Sequence, residues 1–96
     1  MMALVRIKFF GMLREMVGKR EEVLQIDDSS NVTDLIRLLS SKHSKRFADF
    51  VFDQKGNLRD GFAFAVNGDS LSESKLDSTT CKEVKEFVIL PPISGG

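Results

Sequence analysis

An unbroken apolar run, Phe87-Val88-Ile89-Leu90, stops at Pro91-Pro92 and gives way to Ile93-Ser94-Gly95-Gly96. A strand with neither face polar belongs in the middle of a sheet, or has an outer face that awaits a partner. Its neighbours must therefore be arranged on both sides of it. The two prolines are the only ones in the chain; they lack the N–H that a ladder needs and hold φ near the polyproline value, so they end the strand and stiffen the departing chain. Six extended residues reach about 20 Å, enough to carry Gly96 off the surface and into another protein's cleft. Gly95 and Gly96 have no Cβ, which suits a narrow site that must grip a main-chain carboxylate. The plain alternative is a frayed terminus of small residues.

The rest of the composition removes other roles. At 96 residues the chain makes one domain, 1–96, with a real core and, from Pro91 on, a projecting tail. The formal net charge is zero, which argues against nucleic acid, whose sequence-independent binding needs surplus Lys and Arg. No apolar stretch approaches a membrane span, and Arg6 and Lys8 interrupt the first one as no signal peptide would. A single cysteine excludes an internal disulfide and a multi-thiolate metal site. The cytoplasm is the expected compartment.

Along the chain, Val5, Ile7 and Phe9 alternate with Arg6 and Lys8 as a strand does. Phe10 then adds an aromatic to the polar side. Met12, Leu13, Met16 and Val17 predict one short helical turn stopped by Gly18, and Leu24 and Ile26 predict a second strand antiparallel to the first. Asn31 is a strong N-cap, with Asp34 near the positive end of the dipole. Val32, Leu35, Ile36 and Leu39 define the main helix, ending near Ser41. A shorter pattern at Phe47, Phe50 and Val51 leaves helix or loop open for 45–60. Phe62 to Val66 is a third strand, Asn67-Gly68 a turn, Ser70 to Cys81 a loop with room for a short strand, and Val84 to Leu90 the last strand. The order predicts an α+β fold of the β-grasp type, a mixed sheet of four to five strands with one main helix packed on one face.

The side chains offer little chemistry. His43, among Ser41, Lys42, Ser44 and Lys45, reads as a solvated histidine; Cys81, beside Lys82, as an incidental thiol; Glu21-Glu22 and Asp27-Asp28 as solvated charge. The terminal carboxylate remains. Ionised at neutral pH, it is a poor electrophile and must be activated, most commonly as an acyl-adenylate made from ATP by a separate enzyme.

The stretches Ile7-Lys8-Phe9-Phe10-Gly11-Met12-Leu13-Arg14-Glu15, Asn31-Val32-Thr33-Asp34-Leu35, Phe64-Ala65-Val66-Asn67-Gly68 and the Pro-Pro-Ile-Ser-Gly-Gly end together resemble the MoaD branch of the ubiquitin-like sulfur carriers. Those are the small subunits of molybdopterin synthase, related to the ThiS thiamin carriers and to small ubiquitin-like modifiers. Two stretches depart from the pattern: Lys45 to Asp60 is longer than in the shortest members, and Thr80-Cys81-Lys82-Glu83 replaces an acidic Gly-Asp turn. The resemblance implies a carrier that is no enzyme on its own. A ubiquitin-activating-type enzyme would adenylate Gly96, a sulfur donor would make the thiocarboxylate, and the tail would enter the synthase large subunit. No metal and no stably bound cofactor is implied; ATP is used transiently. Gly95, Pro91, Pro92, Ile93 and Ser94 would thread the partner's cleft, and Phe10, Arg14, Leu71 and Leu90 are the candidate docking residues. The alternatives are a protein modifier or a tRNA-thiolation carrier using the same activated Gly96, and a passive β-grasp interaction domain.

Overall fold

The computed structural model describes residues 1–93; Ser94, Gly95 and Gly96, the expected reactive end, lie outside the described residues. Strand β1 (Met2–Phe9) leads through helix α1 (Gly11–Val17) into β2 (Glu21–Asp27), helix α2 (Val32–Lys42) and helix α3 (Lys45–Val51). Then come β3 (Ala63–Val66), β4 (Asp69–Leu71), two single 3-10 turns at Glu73–Lys75 and Cys81–Glu83, and β5 (Glu86–Leu90). The five strands form one sheet in the order β2-β1-β5-β3-β4. Strand β5 runs parallel to β1 and antiparallel to β3. The expected α+β architecture, the antiparallel first hairpin and the central last strand are all present.

The period-two pattern decides which side is covered. Val5, Ile7 and Phe9 of β1, Leu24 and Ile26 of β2, and Phe87 and Ile89 of β5 are buried against Val32, Leu35, Ile36 and Leu39 of α2. Val88 and Leu90, the other half of the apolar run, turn to the opposite face, where Val88 lies between Lys8 and Ala65 and Leu90 beside Ala63. There Val88 is half-buried and Leu90 exposed, so among the described residues β5 is fully covered on one face only.

Helix α2 starts where Asn31 predicts. Its side chain accepts from the Asp34 N–H at 2.8 Å, and Asp34 returns the bond to the Asn31 N–H at 3.1 Å, a reciprocal capping box. The Asn31 amide also donates to the Asp77 carbonyl, tying the loop before β5 to the helix start. Asn31→Ala removes both links and is expected to cost about 1–2 kcal/mol. Thermal melting reads this as a drop of about 4–8 °C per kcal/mol; an unchanged midpoint would show the cap to be dispensable.

Two elements differ from the sequence expectation, and one that the sequence left open is resolved. The single turn after β1 is a helix of seven residues, α1, closed by Gly18 in the left-handed region. The open segment 45–60 begins with helix α3, capped by the Ser44 hydroxyl accepting from the Phe47 N–H, because Phe47 and Val51 complete the core. Its remainder is held by Arg37, which donates to the Gly56 carbonyl at 3.0 Å and lies 4.9 Å from the Phe52 ring centre. The last strand starts at Glu86 and not at Val84, because Asn67 intervenes. The Asn67 side-chain oxygen accepts from the N–H groups of Lys85 and Glu86, and its amide donates to the Glu83 carbonyl. The Asn67-Gly68 turn, with φ of 51° and 88°, thus also anchors the chain entering β5.

Candidate functional site

The C-terminal end of β5 gathers most of the residues singled out by the sequence. Leu90 is 38% exposed on the open sheet face, and Ile93 is 97% exposed. Pro91 and Pro92 are half-buried, with Pro91 beside Gly11 and Pro92 beside Gly61. Phe10, just past the end of β1, is 43% exposed; with Lys8, Arg14, Arg20 and Glu21 it lines a shallow cleft. Met12, assigned to the apolar face of the α1 pattern, is 42% exposed instead, because Leu13 is the residue of that helix that enters the core. Met12 therefore joins Phe10 as exposed apolar surface. The sign of this in the sequence is the crowding of apolar residues in α1 beyond what one short helix can bury.

Leu71 does not join this group. It pairs with Phe64 across β3 and β4, and Phe64 points into the core, so Leu71 shares the covered face and packs against the core. Leu90 pairs with Ala63 on the other face. The sheet thus separates two residues proposed for one docking surface.

The cations around the cleft are partly engaged. Lys8 pairs with Glu86 at 3.3 Å and Lys19 with Glu22 at 3.1 Å. Arg14 lies exposed on α1 and lines the cleft with Phe10. A cationic margin beside apolar side chains favours an acidic partner surface and speeds encounter more than it tightens the complex.

His43 is not the solvated residue expected from its flanks. Its ring packs between Phe9, at 5.9 Å, and Phe47, at 5.3 Å, and its Nε2 bonds to the Glu22 carboxylate. Glu22 is likewise no ordinary solvated charge. Burial alone would raise its carboxyl, but the hydrogen bonds from His43 and Lys19 outweigh that and hold it below the ordinary value of 4.5. A depressed carboxyl stabilises the fold fully above its unfolded value, and that contribution is lost as pH falls through the folded value. Glu22→Gln is therefore expected to cost about 1.5 kcal/mol at neutral pH and to flatten the acid limb below about 4.5. Melting temperature followed against pH checks this; an unaltered acid limb would remove Glu22 from the account.

Cys81 is buried, and burial, followed by the nearby Asp34 charge, pushes its thiol up to about 11. It has almost no thiolate at neutral pH and is structural. Among the described residues no group of three or more His, Cys, Asp or Glu could hold a metal, and no helix is long and apolar enough to cross a membrane.

Among the described residues the candidate side chains are thus concentrated at one strand end. The model of the ThiS family matches residues 7–96, almost the whole length. This chain belongs to the ThiS family. Its fold is the ubiquitin-like β-grasp of the sulfur carriers. The solution structure of small archaeal modifier protein 1 (SAMP1) from Methanosarcina acetivorans is 30% identical, with a TM-score of 0.78 over 100% of this chain and 99% of that one. The crystal structure of SAMP1 from Haloferax volcanii is 26% identical, with a TM-score of 0.83 over 98% of this chain and 100% of that one. A putative molybdopterin converting factor subunit 1 from Pyrococcus furiosus, at 24% identity and a TM-score of 0.65 over 94% and 98% of the two chains, shares the fold. No curated protein sequence matches the chain. As a ThiS-family protein it is a ubiquitin-like sulfur carrier.

Proposed function

We propose that this ThiS-family carrier is the small subunit of a molybdopterin synthase, with the Gly96 carboxylate as its reactive group and the globular body as its handle. The observation that carries the reading is the junction at the end of β5. A central strand, a proline pair and an almost fully exposed Ile93 lead toward Gly95-Gly96, beside the exposed apolar Leu90 and Phe10. In this scheme a carboxylate oxygen of Gly96 attacks the α-phosphorus of ATP on a separate activating enzyme and expels pyrophosphate. A sulfide-level sulfur from a donor attacks the acyl carbon and expels AMP, leaving a thiocarboxylate. In the large subunit that sulfur attacks a carbon of the pterin precursor and displaces an oxygen leaving group from it, giving a thioester between carrier and pterin. Water then attacks the acyl carbon, the carbon–sulfur bond to the carrier breaks, and the carboxylate returns. Leu90 and Phe10 supply the apolar contact, Arg14 the cationic margin, and Pro91, Pro92, Ile93 and Ser94 the path into the cleft.

Two measurements test this. Intact mass after incubation with ATP, the activating enzyme and a sulfur source is expected to show one oxygen replaced by one sulfur. The loaded chain is expected to co-purify with a synthase large subunit, and Phe10→Ala or Leu90→Ala to weaken that capture about tenfold or more while changing stability by less than about 1 kcal/mol. Undiminished capture by both variants would dismiss this docking face. The 30% identity to SAMP1, a modifier protein by name, favours a second reading in which a lysine amine attacks the activated acyl carbon. A ladder of isopeptide conjugates, in place of a complex with the large subunit, would establish it.

A further inference from the structure

The register of β5 brings two glycines against the root of the tail. Phe9 of β1 lies opposite Ile89 in a parallel pair, and Ala63 of β3 lies opposite Leu90 in an antiparallel pair. Two residues beyond each pair in the direction of β5, Gly11 comes beside Pro91 and Gly61 beside Pro92. The prolines cannot extend either ladder; they pack on the glycines instead. A Cβ on Gly11 would stand 3.2 Å from Pro91 Cγ, and one on Gly61 would stand 3.0 Å from Pro92 Cβ and 3.1 Å from its Cγ. At Gly61 the obstructed atoms are next to the main chain, so no side-chain swing relieves the clash. Both glycines also have φ in the left-handed region, +55° and +95°.

We infer that Gly11 and Gly61 are positioning residues, two seats on either side of β5 that hold Pro91 and Pro92 and set the direction in which the tail leaves the body. The role in sulfur loading rests on the carrier reading above; the seating does not. With the prolines held, the reach begins at Ile93, and the four residues to Gly96 span about 14 Å at most. A partner that docks on Leu90 and Phe10 then meets the carboxylate in one place, and presenting a reacting group at a fixed place and angle is worth orders of magnitude in rate.

Other glycines supply a control. Gly68 has φ of +88° and nothing within 4 Å of its added Cβ, so Gly68→Ala carries the backbone strain without a clash. The experiment compares the parent, Gly61→Ala, Pro92→Gly and Gly68→Ala in two ways: nuclear Overhauser contacts between residues 61 and 92 with residual dipolar couplings of the Ile93 amide, and kcat/KM for sulfur loading by the activating enzyme. The expected result is that Gly61→Ala and Pro92→Gly change the Ile93 couplings and lower kcat/KM about tenfold, whereas Gly68→Ala melts earlier than the parent but loads as the parent does. Pro92→Gly leaves the body untouched and keeps the test decisive if Gly61→Ala fails to fold. Parent-like loading by the folded Gly61→Ala and Pro92→Gly variants would overturn the positioning role. A parent that no activating enzyme loads would instead remove the carrier reading, and unchanged Ile93 couplings in Pro92→Gly would still overturn the seats.

Discussion

A chain shortened by Gly95 and Gly96 is expected to melt within about 0.5 kcal/mol of the full-length protein and to take up no measurable sulfur. Among the described residues the sheet is complete at Leu90 and the core is formed by residues up to Ile89. On the carrier reading proposed above, loading depends entirely on Gly95 and Gly96. The shortened chain still ends in a carboxylate, so the loss is one of placement and not of functional group. On that reading its acid falls about 7 Å short of the full extended reach and is carried by Ser94, whose Cβ a channel narrow enough to need glycine would not admit. Misplacement by even about 1 Å can cost a hundredfold in rate. Intact mass distinguishes the outcomes directly. Sulfur incorporation by the shortened chain at the full-length rate would show that the acid is not gripped at its end.

Phe87→Ala is expected to produce the opposite separation, a severe loss of stability before any question of chemistry arises. Phe87 is fully buried on β5, opposite Ile7 and Val66 and stacked on Phe64 with ring centres 6.0 Å apart. Truncating a buried phenylalanine costs about 3–5 kcal/mol, against a total for a domain of this size of about 5–15 kcal/mol. At about 4–8 °C per kcal/mol the midpoint falls by tens of degrees. Chemical denaturation should show the same loss. A drop of less than about 1 kcal/mol would mean that β5 is not the strand on which the sheet closes.

The strands, helix α2 and the fold class were legible because each rests on local periodicity, and Asn31 and Asn67-Gly68 because caps and turns are local chemistry. What escaped depends on contacts across the sheet. His43 has polar neighbours in sequence, yet Glu22 and two phenylalanine rings reach it from β2, β1 and α3. Leu71 belongs to a strand of three residues, too short for its pattern to reveal which face it takes. Gly11 and Gly61 mean nothing to the prolines until β5 is laid between β1 and β3. The exposure of Phe10 and Leu90 was legible because each interrupts or overfills an alternation, whereas that of Met12 was hidden by a helical spacing that α1 does not fully use.

The position of β5 also governs how the molecule assembles. Before residues 86–90 are in place, β1 pairs only with β2 and β3 only with β4, two hairpins of the kind that are marginal in water by themselves. The latest strand to be made is the one that zips them together, with Arg6 opposite Glu86 across nearly the whole length of the chain, and such distant pairings form slowly. A ribosome that stalls before β5 therefore leaves a polypeptide whose β1 and β3 edges stand open and whose interior lacks Phe87 and Ile89.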